Sequence, residues 1–185
     1  MIHSESSPSY KDVALPRIAV FGPKFSGKTT LIWTYAEAHP TMETFRGWGR
    51  AVIPGAAPVM VGAHESGEGG VRIATFPGMV FGIEDWEQML TACDRVLVTM
   101  DSQAKRMQEN AYYLSYLRQH LRPGLGGCFT FSKSDLPATL PSSEACLHLG
   151  IHDGSFPSDW PIFSSTTEST DTLLAPLNYL AGLSL

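Results

Sequence analysis

The stretch Gly22-Pro23-Lys24-Phe25-Ser26-Gly27-Lys28-Thr29, GPKFSGKT, follows an apolar run, Arg17 to Phe21, and leads into TTLIWTYAEAH, Thr29 to His39. It fits G-x-x-x-x-G-K-[ST], a pattern that a chain of this composition shows by chance in under about 1% of shuffled orders. Each fixed position has a physical reason. Gly22 and Gly27 allow backbone conformations closed to other residues and turn the loop amides inward, onto phosphate oxygens. Lys28 brings a mobile positive charge to the terminal phosphates, a binding and a catalytic role together. The Thr29 hydroxyl is a ligand for magnesium. The helix that follows points its positive end at the same anion. Lys24, Ser26 and Thr30 complete the candidate phosphate-binding set.

Outward from this loop, the pattern alternates strands and helices. Arg17 to Phe21 reads as a buried strand, and Thr29 to His39 as a helix stopped by Pro40. Residues 41–70 are irregular and rich in Gly and Pro, with APVMVGA a candidate strand. VRIAT (Val71 to Thr75) and RVLVTM (Arg95 to Met100) read as strands around a helix, IEDWEQMLTAC. From Gln103 to Leu121, Met107, Ala111, Leu114, Leu117 and Leu121 form one helical stripe, which reads as core packing. GCFTFS (Gly127 to Ser132) is a strand, SSEACLHLG a candidate short helix and WPIFSS a last strand. DTLLAPLNYLAGL closes as a helix with Asp171 as its N-cap. The expected class is α/β, a mostly parallel sheet between two helical layers. Ligands of such sheets bind at the carboxyl ends of the strands, so the loops after strands are where chemistry is expected.

Composition bounds the function. The 185 residues fit one full-sized core, 43% of them are hydrophobic and 17% charged, and the net charge is -5. Such a balance argues against nucleic acid or an anionic membrane as the main partner. Residues 1–16, rich in Ser and Pro, read as a flexible arm before a single domain over 17–185. The three cysteines, Cys93, Cys128 and Cys146, are too scattered for a disulfide framework or a zinc site and read as reduced thiols of a cytoplasmic protein. No signal peptide, spanning run or lipidation box is apparent, so no direct membrane anchor is expected. His148 and His152 stand four apart, but Gly150 interrupts the helix that would align them as metal ligands. Trp48, in a Gly-rich setting, is either a docking aromatic or a loop anchor.

A second constellation follows the strand GCFTFS: Ser132-Lys133-Ser134-Asp135-Leu136-Pro137. Guanine presents N1–H and its 2-amino group side by side. One carboxylate accepts from both, whereas adenine offers an acceptor at N1. Asp135 is placed for that task, and the Lys133 stem can cover the base. The string resembles the N-K-x-D box of GTPases with Ser132 in the Asn position, a shorter side chain that forfeits on the order of 1 kcal/mol of tie to the phosphate loop. Ser164-Ser165-Thr166 resembles the loop whose backbone amide contacts the guanine oxygen.

The stretch VRIATFPGMVFG, Val71 to Gly82, raises the remaining question. Where small GTPases carry D-x-x-G and then Gln, this chain has Thr75, Gly78 and Met79. The combination T-x-P-G, then Asp101-Ser102-Gln103, then Arg106-Met107 and Glu109-Asn110, is similar to that of the MglA-type bacterial polarity GTPases. The likeness covers about Arg17 to Pro137. It implies a Ras-like three-layer sandwich of the P-loop NTPase class, a GTP/GDP switch that uses Mg2+, and a role in bacterial polarity, motility or spatial organisation. It also implies recruitment to a cell pole or membrane complex through partners, a roadblock/longin-type activator or effector among them. Gly78 is then a nucleotide-site residue.

Two departures bear on turnover. Met79 has a thioether where Gln would orient the attacking water. The first switch has no clear match. Thr41 and Thr44 are candidates there for the second magnesium hydroxyl, with Thr75 able to bond a metal-bound water. Arg46 and Arg50 are candidates for a cis arginine finger. Three readings stand: a GTP-binding switch with slow or partner-dependent hydrolysis, a pseudo-GTPase acting through protein contacts, and a P-loop kinase or ATPase, for which no Arg-rich lid is found.

Overall fold

The computed structural model describes residues 17–39, 42–45, 60–64, 71–75 and 83–182. The arm of residues 1–16 and the positions Thr41, Arg46, Trp48, Arg50, Gly78 and Met79 lie outside them.

In chain order the elements are β1 (Arg17–Phe21), α1 (Lys28–Ala38), β2 (Met42–Phe45), β3 (Met60–His64), β4 (Val71–Thr75), α2 (Ile83–Ala92) and β5 (Arg95–Asp101). They continue with α3 (Met107–His120), β6 (Gly126–Ser132), α4 (Ser142–Leu149), β7 (Ile162–Ser165) and α5 (Thr170–Ala181). The sheet runs β2-β3-β4-β1-β5-β6-β7. From β4 to β7 its five strands are parallel. β3 is antiparallel to β4, and β2 to β3. The carboxyl ends of β4, β1, β5, β6 and β7 therefore share one edge of the molecule.

Side-chain alternation along the strands splits the core in two. Ile18 and Val20 of β1, with Ile73, Leu97 and Cys128, face Leu31, Ile32 and Tyr35 of α1 and Leu173, Leu177 and Leu180 of α5. Ala19 and Phe21, with Val96, Val98, Phe129 and Phe131, face Trp86 and Leu90 of α2, Leu114 and Leu117 of α3 and Cys146 of α4. Phe21 meets the Trp86 ring edge-on at 4.4 Å between centroids, fixing α2 on that face. A parallel sheet covered on both faces needs such two-sided apolar strands.

Several expectations are corrected. The α3 stripe does not include Ala111, which is exposed; Asn110 is fully buried instead, because its Nδ2 donates to the Asp101 carbonyl at 2.8 Å. Asp171 is not the N-cap of α5. Ser169, with extended dihedrals of -134° and 109°, holds that position, and Asp171 lies within the first turn, where its charge still faces the helix's positive end. The irregular stretch contains β2 as well as the candidate strand seen at β3. Gly150 does end α4, in left-handed conformation, between His148 and His152. All three cysteines are buried and unbridged. No described helix is long and apolar enough to cross a membrane.

The seam beneath β6 is tight. A Cβ built on Gly127 would stand 2.6 Å from the Trp160 ring, whose indole N–H donates to the Leu125 carbonyl at 3.3 Å. Gly127→Ala forces that indole aside, and we expect a loss of about 2 kcal/mol in urea unfolding with an unchanged denaturant slope. An unchanged midpoint would mean that the Trp160 pocket yields freely.

Candidate functional site

The loop after β1 is built by a close approach to β5. Gly22 has φ 149°, and a side chain there would run into the Thr99 carbonyl, with Thr99 Oγ1 at 2.7 Å and Ser26 Oγ at 3.0 Å. Ser26 and Thr99, both fully buried, share a hydroxyl–hydroxyl bond of 2.8 Å, and Thr99 Oγ1 donates to the Phe21 carbonyl at 3.2 Å. These bonds fasten the far side of the loop to the sheet. Phe25 takes φ 65° and is exposed, with the Lys24 ammonium 4.7 Å from its ring centre.

Gly27, at φ 86°, caps α1 in a left-handed conformation. The first intrahelical bond runs from the Leu31 N–H to the Gly27 carbonyl at 2.9 Å, so the N–H groups of Lys28, Thr29 and Thr30 leave the helix end without intrahelical acceptors. The side chains of Thr29 and Thr30 are exposed beside them. Lys28 is only 5% exposed, and its ammonium donates to the carbonyls of Gly22 and Pro23 at 2.9 and 2.5 Å. Burial pushes its pKa down to about 8, against a smaller upward pull from Glu109.

Ser132 is the nearest neighbour of the Gly27 cradle: a Cβ on Gly27 would lie 3.3 Å from Ser132 Cβ. The Ser132 hydroxyl donates to the Met100 carbonyl at 3.1 Å, so its tie is to β5. Lys133 is left-handed, with φ 61°, and its ammonium reaches Asp101 Oδ2 at 2.6 Å. Ser134 donates both its N–H and its hydroxyl to the Ser165 carbonyl, each at 3.3 Å. Asp135 is exposed on the same loop. Ser164 Oγ lies 2.5 Å from Ser142 Oγ, and the Thr166 N–H donates to Thr172 Oγ1 at 3.2 Å. Thr75 is buried, and its hydroxyl donates to the Val20 carbonyl at 2.9 Å.

The fold thus gathers Gly22, Lys24, Ser26, Gly27, Lys28, Thr29, Thr30, Ser132, Lys133, Asp135, Ser164, Ser165, Thr166 and Thr75 along one strand edge. Thr44 is set apart: it pairs with Gly62, which pairs with Ile73, so it stands two strands beyond β4, about 10 Å away in the sheet direction. Thr99, which the sequence reading did not single out, locks the loop after β1. Asp101 and Arg106, read in the sequence only as parts of a family-like string and given no site role, take one here: Asp101 receives Lys133, and Arg106 donates to the Lys24 carbonyl at 2.7 Å.

The donor set fits a nucleotide phosphate with magnesium. Among the described residues no group of three or more His, Cys, Asp or Glu could hold a metal. A single hydroxyl, Thr29, beside phosphate oxygens suits a cation that keeps most of its waters. The chain matches no protein-family model and no curated protein.

Lys28 links the site to stability. Its folded pKa of about 8 lies below the ordinary 10.5, so between these values the unfolded chain binds the extra proton. Stability then rises with pH from about 8, by roughly 1 kcal/mol per pH unit and about 3 kcal/mol in total. Cys93 and Tyr35, raised by burial to about 11 and 12, act in the opposite direction above pH 9. They do so equally in Lys28→Met. Denaturant titrations at pH 7.5 to 10 should therefore show a wild-type minus Lys28→Met difference that climbs with pH, and a flat difference would place the amine in water.

Proposed function

We propose that this chain is a Ras-like P-loop GTP/GDP-binding switch with slow or partner-dependent GTP hydrolysis. The observation that carries the reading is the meeting of the two motifs. Ser132 of the S-K-S-D loop packs against Gly27 of the phosphate loop, and Asp135 follows on the same strand edge. Phosphates held over the start of α1 leave the base to fall toward the loop after β6.

In this reading the N–H groups at the head of α1 and the Lys28 ammonium bind the phosphate oxygens. Lys28 exchanges its carbonyl partners for them, and the anion steadies its positive charge. Magnesium, when bound, draws charge off those oxygens. Thr29 offers its hydroxyl to the cation. Thr75, whose hydroxyl donates to the Val20 carbonyl, is the candidate to meet a metal-bound water. Asp135 accepts from guanine N1–H and the 2-amino group, Lys133 lays its stem along the base, and the Ser164 to Thr166 loop closes the far side.

Hydrolysis is the weaker half of the machinery. In the sequence motif Met79 takes the place of the amide that orients water, and Thr75 donates its proton to the Val20 carbonyl. The residues therefore support tight binding and slow chemistry, with Arg46, Arg50 or a partner supplying the missing charge. The same two observations favour a second reading, a pseudo-GTPase that acts through protein contacts without turnover. The bacterial polarity role and a roadblock/longin-type partner rest on the resemblance to MglA-type GTPases alone.

Chromatography of nucleotide released from the denatured, purified protein should yield guanine nucleotide; adenine nucleotide would point to a kinase or ATPase. Asp135→Asn should lower GDP affinity by about 100-fold and raise that for xanthosine diphosphate, whose 2-oxo group accepts from the Asn amide. Unchanged GDP binding would remove Asp135 from the site. Single-turnover GTP hydrolysis without a partner should stay below about 10⁻⁴ s⁻¹. Release at several per second would contradict the assignment of Met79.

A further inference from the structure

Asp101 ends β5 with its carboxylate 1% exposed, and a buried charge must be matched by partners. Oδ1 accepts the Gln103 N–H at 3.0 Å, and Oδ2 accepts the Lys133 ammonium at 2.6 Å. Arg106 Nε stands 3.9 Å from Oδ2. The Asn110 amide holds the Asp101 carbonyl at 2.8 Å, so the residue's backbone is pinned as well.

These bonds lead two ways. Lys133 occupies a left-handed conformation uncommon for a residue with a side chain; its carbonyl accepts from the Leu136 N–H at 3.1 Å, and Asp101 fixes its ammonium. Two residues on is Asp135. In the other direction, Arg106 is clamped by Glu109 at 2.5 Å and extends Nη2 to the Lys24 carbonyl at 2.7 Å, at the middle of the phosphate loop. One buried carboxylate thus bonds Lys133 of the base loop directly and faces, at ion-pair distance, the Arg106 Nε, which makes no hydrogen bond of its own, while Arg106 Nη2 reaches the phosphate loop.

We propose that Asp101 is a positioning residue that couples the guanine-reading loop to the phosphate loop, so that both lose their set when its charge is removed. The proposal rests on the nucleotide-site reading, and its two arms separate by ligand. Lys133 serves base identity, and Arg106 serves grip on phosphate whatever the base. Inosine diphosphate, which lacks only the 2-amino group, is the probe that tells them apart.

The experiment measures affinity and release rate for GDP and inosine diphosphate, together with amide hydrogen exchange, on wild type, Asp101→Asn, Lys133→Met and Arg106→Gln. Asp101→Asn should weaken GDP about tenfold or more and bring the GDP-to-inosine-diphosphate ratio toward one. Lys133→Met should lower the ratio. Arg106→Gln should speed release of both nucleotides equally and leave the ratio intact. A merely structural Asp101 would lower both affinities by one factor, and an unchanged ratio overturns the proposal. Hydrogen exchange decides the matter independently of ligand. In Asp101→Asn, exchange should quicken at residues 22–28 and 132–136 together while β1 and β6 stay protected. Quickening at one loop alone, or across the whole sheet, overturns it. Should Asp101→Asn fail to fold, Lys133→Met and Arg106→Gln carry the same test, each loosening only its own loop. If wild type binds neither nucleotide, the nucleotide reading falls, while the exchange pattern still supports or overturns the coupling.

Discussion

The site depends on how closely the backbone after β1 passes Thr99. Any side chain at position 22 would occupy space that the Thr99 carbonyl and hydroxyl already fill. Glycine there is a steric requirement of this fold, and its φ of 149° is one that other residues rarely adopt. Because Gly22 lies flat against β5, Ser26 can reach Thr99 and the loop turns back over the start of α1. The apolar layers hold β1 and β5 side by side, and that pairing sets the distance. The chemistry of the loop is thereby made a consequence of core packing.

Charge is arranged around this frame with little water to screen it. Lys28 lies under the loop on two carbonyls, and desolvation weakens its hold on a proton. Asp101 is almost wholly buried but is met by Lys133 and lies within reach of Arg106. A lysine hydrogen-bonded to two carbonyls, with a carboxylate only at a distance, is disposed to accept an anion, whereas a carboxylate already matched by a cation serves better as a brace. The two residues thus suit different tasks, one toward a ligand and one toward the loops that would surround it.

Much of the architecture was legible in one dimension. Arg17 to Phe21 and Val71 to Thr75 coincide with strands because short, mostly apolar runs between helical segments have few other uses. The edge strand Met42 to Phe45 was illegible, since METF carries no alternation and its pairing with β3 is non-local. The α3 stripe misled at Ala111. Small and apolar, it matched the helical period, yet the buried position belongs to Asn110, whose amide satisfies a backbone carbonyl at the end of β5. A hydrogen bond to a distant strand leaves no trace in periodicity. Ser169 displaced Asp171 at the start of α5 because a cap is defined by backbone conformation as well as by residue type.

The amino-acid sequence alone determined the alternating α/β order, the phosphate-loop pattern and the S-K-S-D string, because these are written in local spacing and in residues with few alternative uses. It could not say that Ser132 would lie against Gly27, that Thr99 would lock Ser26, or that one carboxylate would join Lys133 and Arg106. Apart from Arg106, five positions from Asp101, the partners in these contacts are 32 to 105 positions apart. They exist only because parallel strands bring their carboxyl ends to one edge, where charges distant in the chain must share a space too dry to leave any of them unmatched.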